Sequence, residues 1–200
     1  MTRVLEVELK SVVDDMDARR GLAEQAGAKV VFAGRLEDRR YDTVDQSLAA
    51  RDHLLRVRVY RDAATTRAEL GWKGPTRREE GYKLREELEA LVGDADMLVA
   101  ILGQLGYIVS IVIEREIVQY DYLGAMIRFE RYPRLDDLVE VEGTTQQIER
   151  AIVALGLPRE GFTSDRLPDF VHRYEARTGL RAALSYGELN GTSSFDVGNA

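Results

Sequence analysis

Apolar and charged residues alternate with a period of two through much of the chain, the pattern of strands that bury one face. In residues 3–10, Leu5, Val7 and Leu9 oppose Glu6, Glu8 and Lys10. Comparable stretches at residues 30–41, 54–61, 67–73, 83–89, 107–120, 126–131 and 138–142 bring the total to about eight predicted strands. Residues 63–66 read as a turn, and Gly74-Pro75 ends the strand before it. Helical spacing predicts a short helix between the acidic start at Asp14 and the stop at Gly27. It predicts another over 94–105, where Met97, Leu98, Ile101, Leu102 and Leu105 repeat and Gly106 closes the run. Two later helices are predicted over 145–155 and 164–178, the second capped by Ser164-Asp165 with Pro168 in its first turns.

The polar faces of these strands carry charges of both signs. Arg56 and Arg58 oppose Leu55, Val57 and Val59; Glu69 and Lys73 oppose Leu70 and Trp72; Arg85, Glu87 and Glu89 oppose Leu84 and Leu88. Arg128 and Glu130 oppose Ile127 and Phe129, and Glu140 and Glu142 oppose Val139 and Val141. An open antiparallel sheet with one solvated face has this appearance. A closed barrel has it too, and there the charged faces converge in a shared interior. The pairs Glu6-x-Glu8 and Glu140-x-Glu142 crowd like charge, which a bound cation relieves, and Arg56-x-Arg58 poses the same problem with opposite sign. The reading is therefore α+β: a closed eight-stranded antiparallel β-barrel with a charged tunnel and helices packed on the outside. Trp72 and Met97 belong to apolar packing, and Arg39-Arg40 and Arg77-Arg78 to solvated loops.

Composition narrows the chemistry. The formal net charge of -7 argues against nucleic acid and anionic membrane as partners, so an anion site would have to be concentrated locally. There is no cysteine and there are two histidines, His53 and His172, which leaves carboxylates as metal ligands and favours Mg²⁺, Mn²⁺ or Ca²⁺. The first residues carry no apolar run of signal-peptide type, and a cytoplasmic location is expected. A single domain is expected over 1–180, with the polar, glycine-rich 181–200 as a flexible tail.

Glu6-Val7-Glu8-Leu9-Lys10 resembles the N-terminal signature of the CYTH superfamily, the triphosphate tunnel metalloenzymes. It is followed in order by Leu55-Arg56-Val57-Arg58, Trp72-Lys73-Gly74-Pro75, Leu84-Arg85-Glu86-Glu87-Leu88-Glu89, Arg115, Glu130 and Val139-Glu140-Val141-Glu142-Gly143. The order of Lys-Gly-Pro and Arg-Glu-Glu is most similar to the class IV adenylyl cyclase branch. The chain departs from the family at Ile113-Glu114-Arg115, where a lysine is missing, at Glu130, where an aspartate is usual, at Asp38-Arg39-Arg40-Tyr41-Asp42, and at Ser164-Asp165-Arg166.

The resemblance implies that Glu6, Glu8 and Glu140 ligate Mg²⁺ or Mn²⁺, with Glu142 as ligand or supporting group. Lys10, Arg56, Arg58, Lys73, Arg85 and Arg115 would hold the phosphates, joined by Arg128 on the charged face of its strand. Glu87, Glu89 or Glu130 would orient or deprotonate the nucleophile, or pair a nearby arginine. The implied substrate is ATP, thiamine triphosphate or tripolyphosphate. The reactions it admits are cyclisation of ATP to cyclic AMP and pyrophosphate, hydrolysis of the terminal phosphate, or binding of polyphosphate without turnover. Homodimers are common among the cyclases it resembles.

Overall fold

A computed structural model describes residues 4–196 and Gly198. In chain order the elements are β1 (Val4–Val12), α1 (Met16–Gln25), β2 (Lys29–Asp42), a 3-10 turn (Ala49–Arg51), β3 (Leu54–Arg61), β4 (Thr66–Lys73), β5 (Arg77–Glu79) and β6 (Tyr82–Val92). They continue with α2 (Ala95–Gln104), β7 (Ile108–Tyr122), β8 (Ala125–Arg131), β9 (Leu138–Glu142), α3 (Thr145–Leu155), α4 (Leu167–Thr178) and the short α5 (Tyr186–Leu189).

All strand pairings are antiparallel. The order β1-β9-β8-β7-β2-β3-β4-β6 closes on itself because β1 also pairs with β6, Glu6 lying opposite Arg85 and Glu8 opposite Lys83. The eight-stranded barrel expected from the alternation is thus present, and closure excludes the open-sheet alternative. A ninth strand, β5, lies outside the ring and pairs only with β6. The expectation of a solvated loop at Arg77-Arg78 is corrected here. Glu79 and Tyr82 are joined by Glu80 and Gly81, both at positive φ (50° and 83°). This two-residue turn matches the twist of a hairpin, so the backbone pairs although Arg77, Arg78 and Glu79 carry no apolar signal.

The helices cover the apolar outer faces. Leu9, Phe129, Val139 and Val141 from the barrel meet Ala23 of α1 and Ile148, Ile152 and Leu155 of α3 in the largest core. α3 starts in a reciprocal capping box between Thr144 and Gln147 and stops at Gly156, whose φ is 62°. Thr144→Ala is expected to lower stability by about 1 kcal/mol, a fall of roughly 2–4 °C in melting temperature read by circular dichroism. A separate cluster places Leu102 of α2 over Val57, Val59 and Ala68.

α4 begins later than the sequence suggests. Its N-cap is Arg166, with Asp169 accepting from the Arg166 backbone N–H at 2.9 Å. The preceding residues stay extended because Thr163 exchanges two backbone hydrogen bonds of 2.9 Å with Lys10. Residues 182–184, placed by the sequence in a flexible tail, are instead buried, Ala182 and Leu184 in a cluster with Ile111, Ile113 and Leu138, and Ala183 in a backbone bridge to Arg134. The cause lies in β7. β8 stops opposite Glu116, and the Leu184 carbonyl accepts from the Glu114 N–H at 2.7 Å, filling the edge that β8 vacates.

Candidate active site

Inside the barrel the charged faces meet. Glu6, Glu8, Lys10, Arg56, Arg58, Lys73, Arg85, Arg115, Arg128, Glu130 and Glu140 are all buried. Glu87 and Glu142 are partly buried, and Glu89 keeps 42% of its side chain exposed. Many of these groups border a polar cavity of about 170 Å³, among them Glu8, Lys10, Arg56, Arg58, Lys73, Arg85, Arg115 and Glu140. The candidate metal, phosphate-binding and catalytic residues therefore share the inner face of one barrel or its rim.

A lumen so dense in charge is tolerable because its ions are paired. Lys10 lies 2.8 Å from Glu140 and 3.4 Å from Glu130; Arg115 donates to Glu130 at 2.9 Å and Arg128 to Glu140 at 2.7 Å. Arg56 reaches Glu87 at 2.6 Å and Glu89 at 3.3 Å. Lys73 pairs with Glu6, and Lys83 with Glu8. Burial alone would lower the Lys10 ammonium pKa, but Glu130 and Glu140 override it and hold the group charged. Burial would likewise raise Glu130; Lys10 and Arg115 overcome this and keep its carboxyl below the usual range.

The cation sites divide into two kinds. Those just described face carboxylates directly. Arg85 instead donates to the backbone carbonyls of Gly74 (2.7 Å) and Asp52 (2.9 Å), with the Asp52 carboxylate 4.0 Å away and shared with Arg166. Burial draws the Arg85 pKa down. Arg40 on β2 lies directly opposite Arg56 on β3. Burial, partly offset by Asp38 and reinforced by Arg56, Arg115 and Arg58, pulls Arg40 to about 10. Both arginines border the cavity, and Arg85, bonded mainly to backbone carbonyls, keeps positive charge available to an anionic ligand.

The four carboxylates expected to hold a metal occupy facing strands. Glu8 stands opposite Glu142 in the β1–β9 register, a like-charge pair that is unfavourable without a cation. Burial pushes Glu142 up to about 8, with Glu6 and Glu140 adding to the rise against Arg128. Glu6 and Glu140 thus both stand close enough to Glu142 to repel it. Among the described residues no three such side chains converge into a ready cage. Glu6, Glu8 and Glu140 turn toward lysine and arginine partners, as buried carboxylates must. The donor set, oxygen only and mutually repelling, fits a hard divalent cation that would compete with those partners.

Sequence reasoning passed over several groups of this site. Arg39-Arg40, expected in a solvated loop, lie instead within β2, where Arg40 shares the inward face with Asp38; Lys83 lies two residues before Arg85 on β6, so the same alternation marks all three. Tyr132, just beyond β8, continues the alternation of Arg128 and Glu130, donates its hydroxyl to Glu130 at 2.8 Å and borders the cavity. His53 and Asp52 line the mouth, His53 packing edge-on against Trp72 at 5.2 Å.

A family model for the CYTH domain matches residues 5–151. A search of curated proteins finds no significant match. Among solved structures, an adenylate cyclase candidate from Vibrio parahaemolyticus is 19% identical, with a TM-score of 0.73 over 86% of this chain and 99% of its own. A conserved protein from Pyrococcus furiosus is 20% identical, with a TM-score of 0.67 over 83% and 99%. An adenylyl cyclase candidate from Hippeastrum, described as having a dominant triphosphatase activity, is 15% identical, with a TM-score of 0.58 over 90% and 99%. At these identities the likeness is one of fold. No helix among the described residues is long and apolar enough to cross a membrane.

Proposed function

The chain belongs to the CYTH domain family, and from that premise we propose that it is a divalent-metal-dependent enzyme of phosphoryl transfer, acting on a triphosphate in the barrel lumen and converting ATP to cyclic AMP and pyrophosphate. The observation that carries this reading is the meeting, across one cavity, of the Lys10, Arg56, Arg58, Lys73, Arg85 and Arg115 cations with the Glu8 and Glu140 carboxylates, with Glu6 and Glu142 two positions away on the same two strands.

In this reading Arg85 draws the polyphosphate into the mouth. Arg56, Arg58, Arg115, Lys73 and Lys10 then grip phosphate oxygens, exchanging part of their present pairing for phosphate, with Arg128 holding Glu140 in place. Glu6, Glu8 and Glu140, supported by Glu142, would hold Mg²⁺ or Mn²⁺, which when bound neutralises charge on the phosphate oxygens. The three carboxylates considered for the nucleophile separate by environment. Glu130 is fully buried and engaged by Lys10, Arg115 and Tyr132, which makes it a weak proton acceptor. Glu87 and Glu89 sit by Arg56 on the opposite wall, and exposed Glu89 is open to a hydroxyl or water.

Hydrolysis of the terminal phosphate is the second reading, favoured by the triphosphatase activity of the similar Hippeastrum protein. Incubation with ATP, thiamine triphosphate and tripolyphosphate, with Mg²⁺ or Mn²⁺ and with EDTA, separates the two. Metal-dependent cyclic AMP with equimolar pyrophosphate supports the cyclase; orthophosphate moves the assignment to triphosphatase. Absence of turnover on all three rejects both.

A further inference from the structure

Asp38 has no place in the chemistry above, yet it is the most enclosed acidic group of the arginine wall, with 0% of its surface exposed. It is inward-facing on β2, opposite Arg58 on β3, while the next inward pair is Arg40 opposite Arg56. One of its oxygens, Oδ2, lies 3.3 Å from Arg58 Nε, 3.9 Å from Arg115 Nη2 and 4.0 Å from Arg56 Nη1. Its other oxygen, Oδ1, makes no hydrogen bond, and neither does Arg56 Nε.

A carboxylate serving one structural ion pair ordinarily grips a guanidinium with two bonds near 2.8 Å. Asp38 does something else. It stands at longer range among three guanidiniums, an arrangement that sets their directions and lowers their shared charge while occupying one donor, Arg58 Nε. The wall around Arg56 is also kept clear: a Cβ on Gly71, opposite it on β4, would lie 3.1 Å from Arg56 Nε. Burial works against the Asp38 carboxylate, but Arg58, Arg56, Arg40 and Arg115 outweigh it, so the group is ionised at neutral pH.

We propose that Asp38 is a positioning residue, an internal counter-anion that aims Arg56, Arg58 and Arg115 at the bound phosphates and weakens their grip enough for the product to leave. The inference rests on the reading that the lumen holds a triphosphate. It makes a prediction of unusual sign, because deleting a residue that merely braces the site would weaken ligand binding. Asp38→Asn keeps the shape and removes the charge, leaving the guanidiniums with excess positive potential. Tripolyphosphate, titrated calorimetrically in EDTA, is expected to bind the variant about tenfold more tightly than the wild type. Turnover with metal is expected to fall at least about tenfold, since the arginines lose their alignment, and inhibition by pyrophosphate is expected to strengthen. Asp38→Glu, which restores the charge, is expected to return affinity toward the wild-type value.

Unchanged or weaker tripolyphosphate binding by a folded Asp38→Asn protein overturns the inference while leaving the proposed function standing. A wild-type protein that binds no tripolyphosphate, either in EDTA or with Mg²⁺, overturns both. An Asp38→Asn protein that is unfolded alone is tested by thermal melting with added tripolyphosphate: the inference expects the polyanion to replace the lost counter-charge and restore folding, and failure to do so overturns it.

Discussion

Glu8→Gln is expected to cut metal-dependent turnover roughly 10²–10³-fold while leaving the fold unchanged. Glu8 borders the cavity, is 6% exposed, and has Lys83 as its partner. The amide keeps the volume and still accepts from Lys83, so the packing cost is small. What disappears is the negative oxygen, proposed above as a metal ligand, that faces Glu142 across the β1–β9 pair. The metal concentration for half-maximal rate is expected to rise, and excess metal to recover part of the loss. Glu140 is a poorer place for the same test, because it also holds Lys10 and Arg128, and its removal would mix metal loss with instability. Steady-state rates across a metal titration, alongside melting temperatures, check the result. Wild-type turnover with wild-type metal dependence would remove Glu8 from the ligand set.

The barrel was legible because its determinants are local. Alternation of Leu55, Val57 and Val59 with Arg56 and Arg58 specifies a strand with two unlike faces, and the same statement repeated around the chain leaves closure as the way to bury charge of both signs. The pairing inside was not legible. Lys83 meets Glu8 and Lys73 meets Glu6 only because β6 and β4 return to β1 across more than sixty positions of sequence, a register set by closure and absent from any single strand. β5 escaped detection because its three residues are all charged and its hairpin is written in the backbone of Glu80 and Gly81. The docking of residues 182–184 depends on a vacancy at the edge of β7, which follows from where β8 ends. Asp38 was visible by parity alone, two positions from Arg40 and on the same face, but its meaning needed the three guanidiniums that other strands bring to it.

Glu130→Ala is expected to destabilise the protein by about 3–5 kcal/mol, because it removes one member of a buried ionic network and strands the others. Glu130 is 0% exposed, accepts from Arg115 at 2.9 Å and from the Tyr132 hydroxyl at 2.8 Å, and lies 3.4 Å from Lys10. Lys10 would retain Glu140, but Arg115 would be left with the Asp38 oxygen at 3.9 Å and the Tyr132 ring at 5.7 Å. For a chain of this length such a loss corresponds to a melting temperature lower by roughly 10 °C. The size of the effect separates two roles for this carboxylate. As an ionic brace for Lys10 and Arg115, Glu130 affects stability first, and Glu130→Gln, which still accepts a hydrogen bond, should recover much of the lost melting temperature together with turnover measured well below it. As the general base for the nucleophile, it would leave melting little changed while both variants lost turnover. The three cationic and hydroxyl contacts, and the depressed carboxyl they produce, favour the first result; wild-type stability in the alanine variant would refute it.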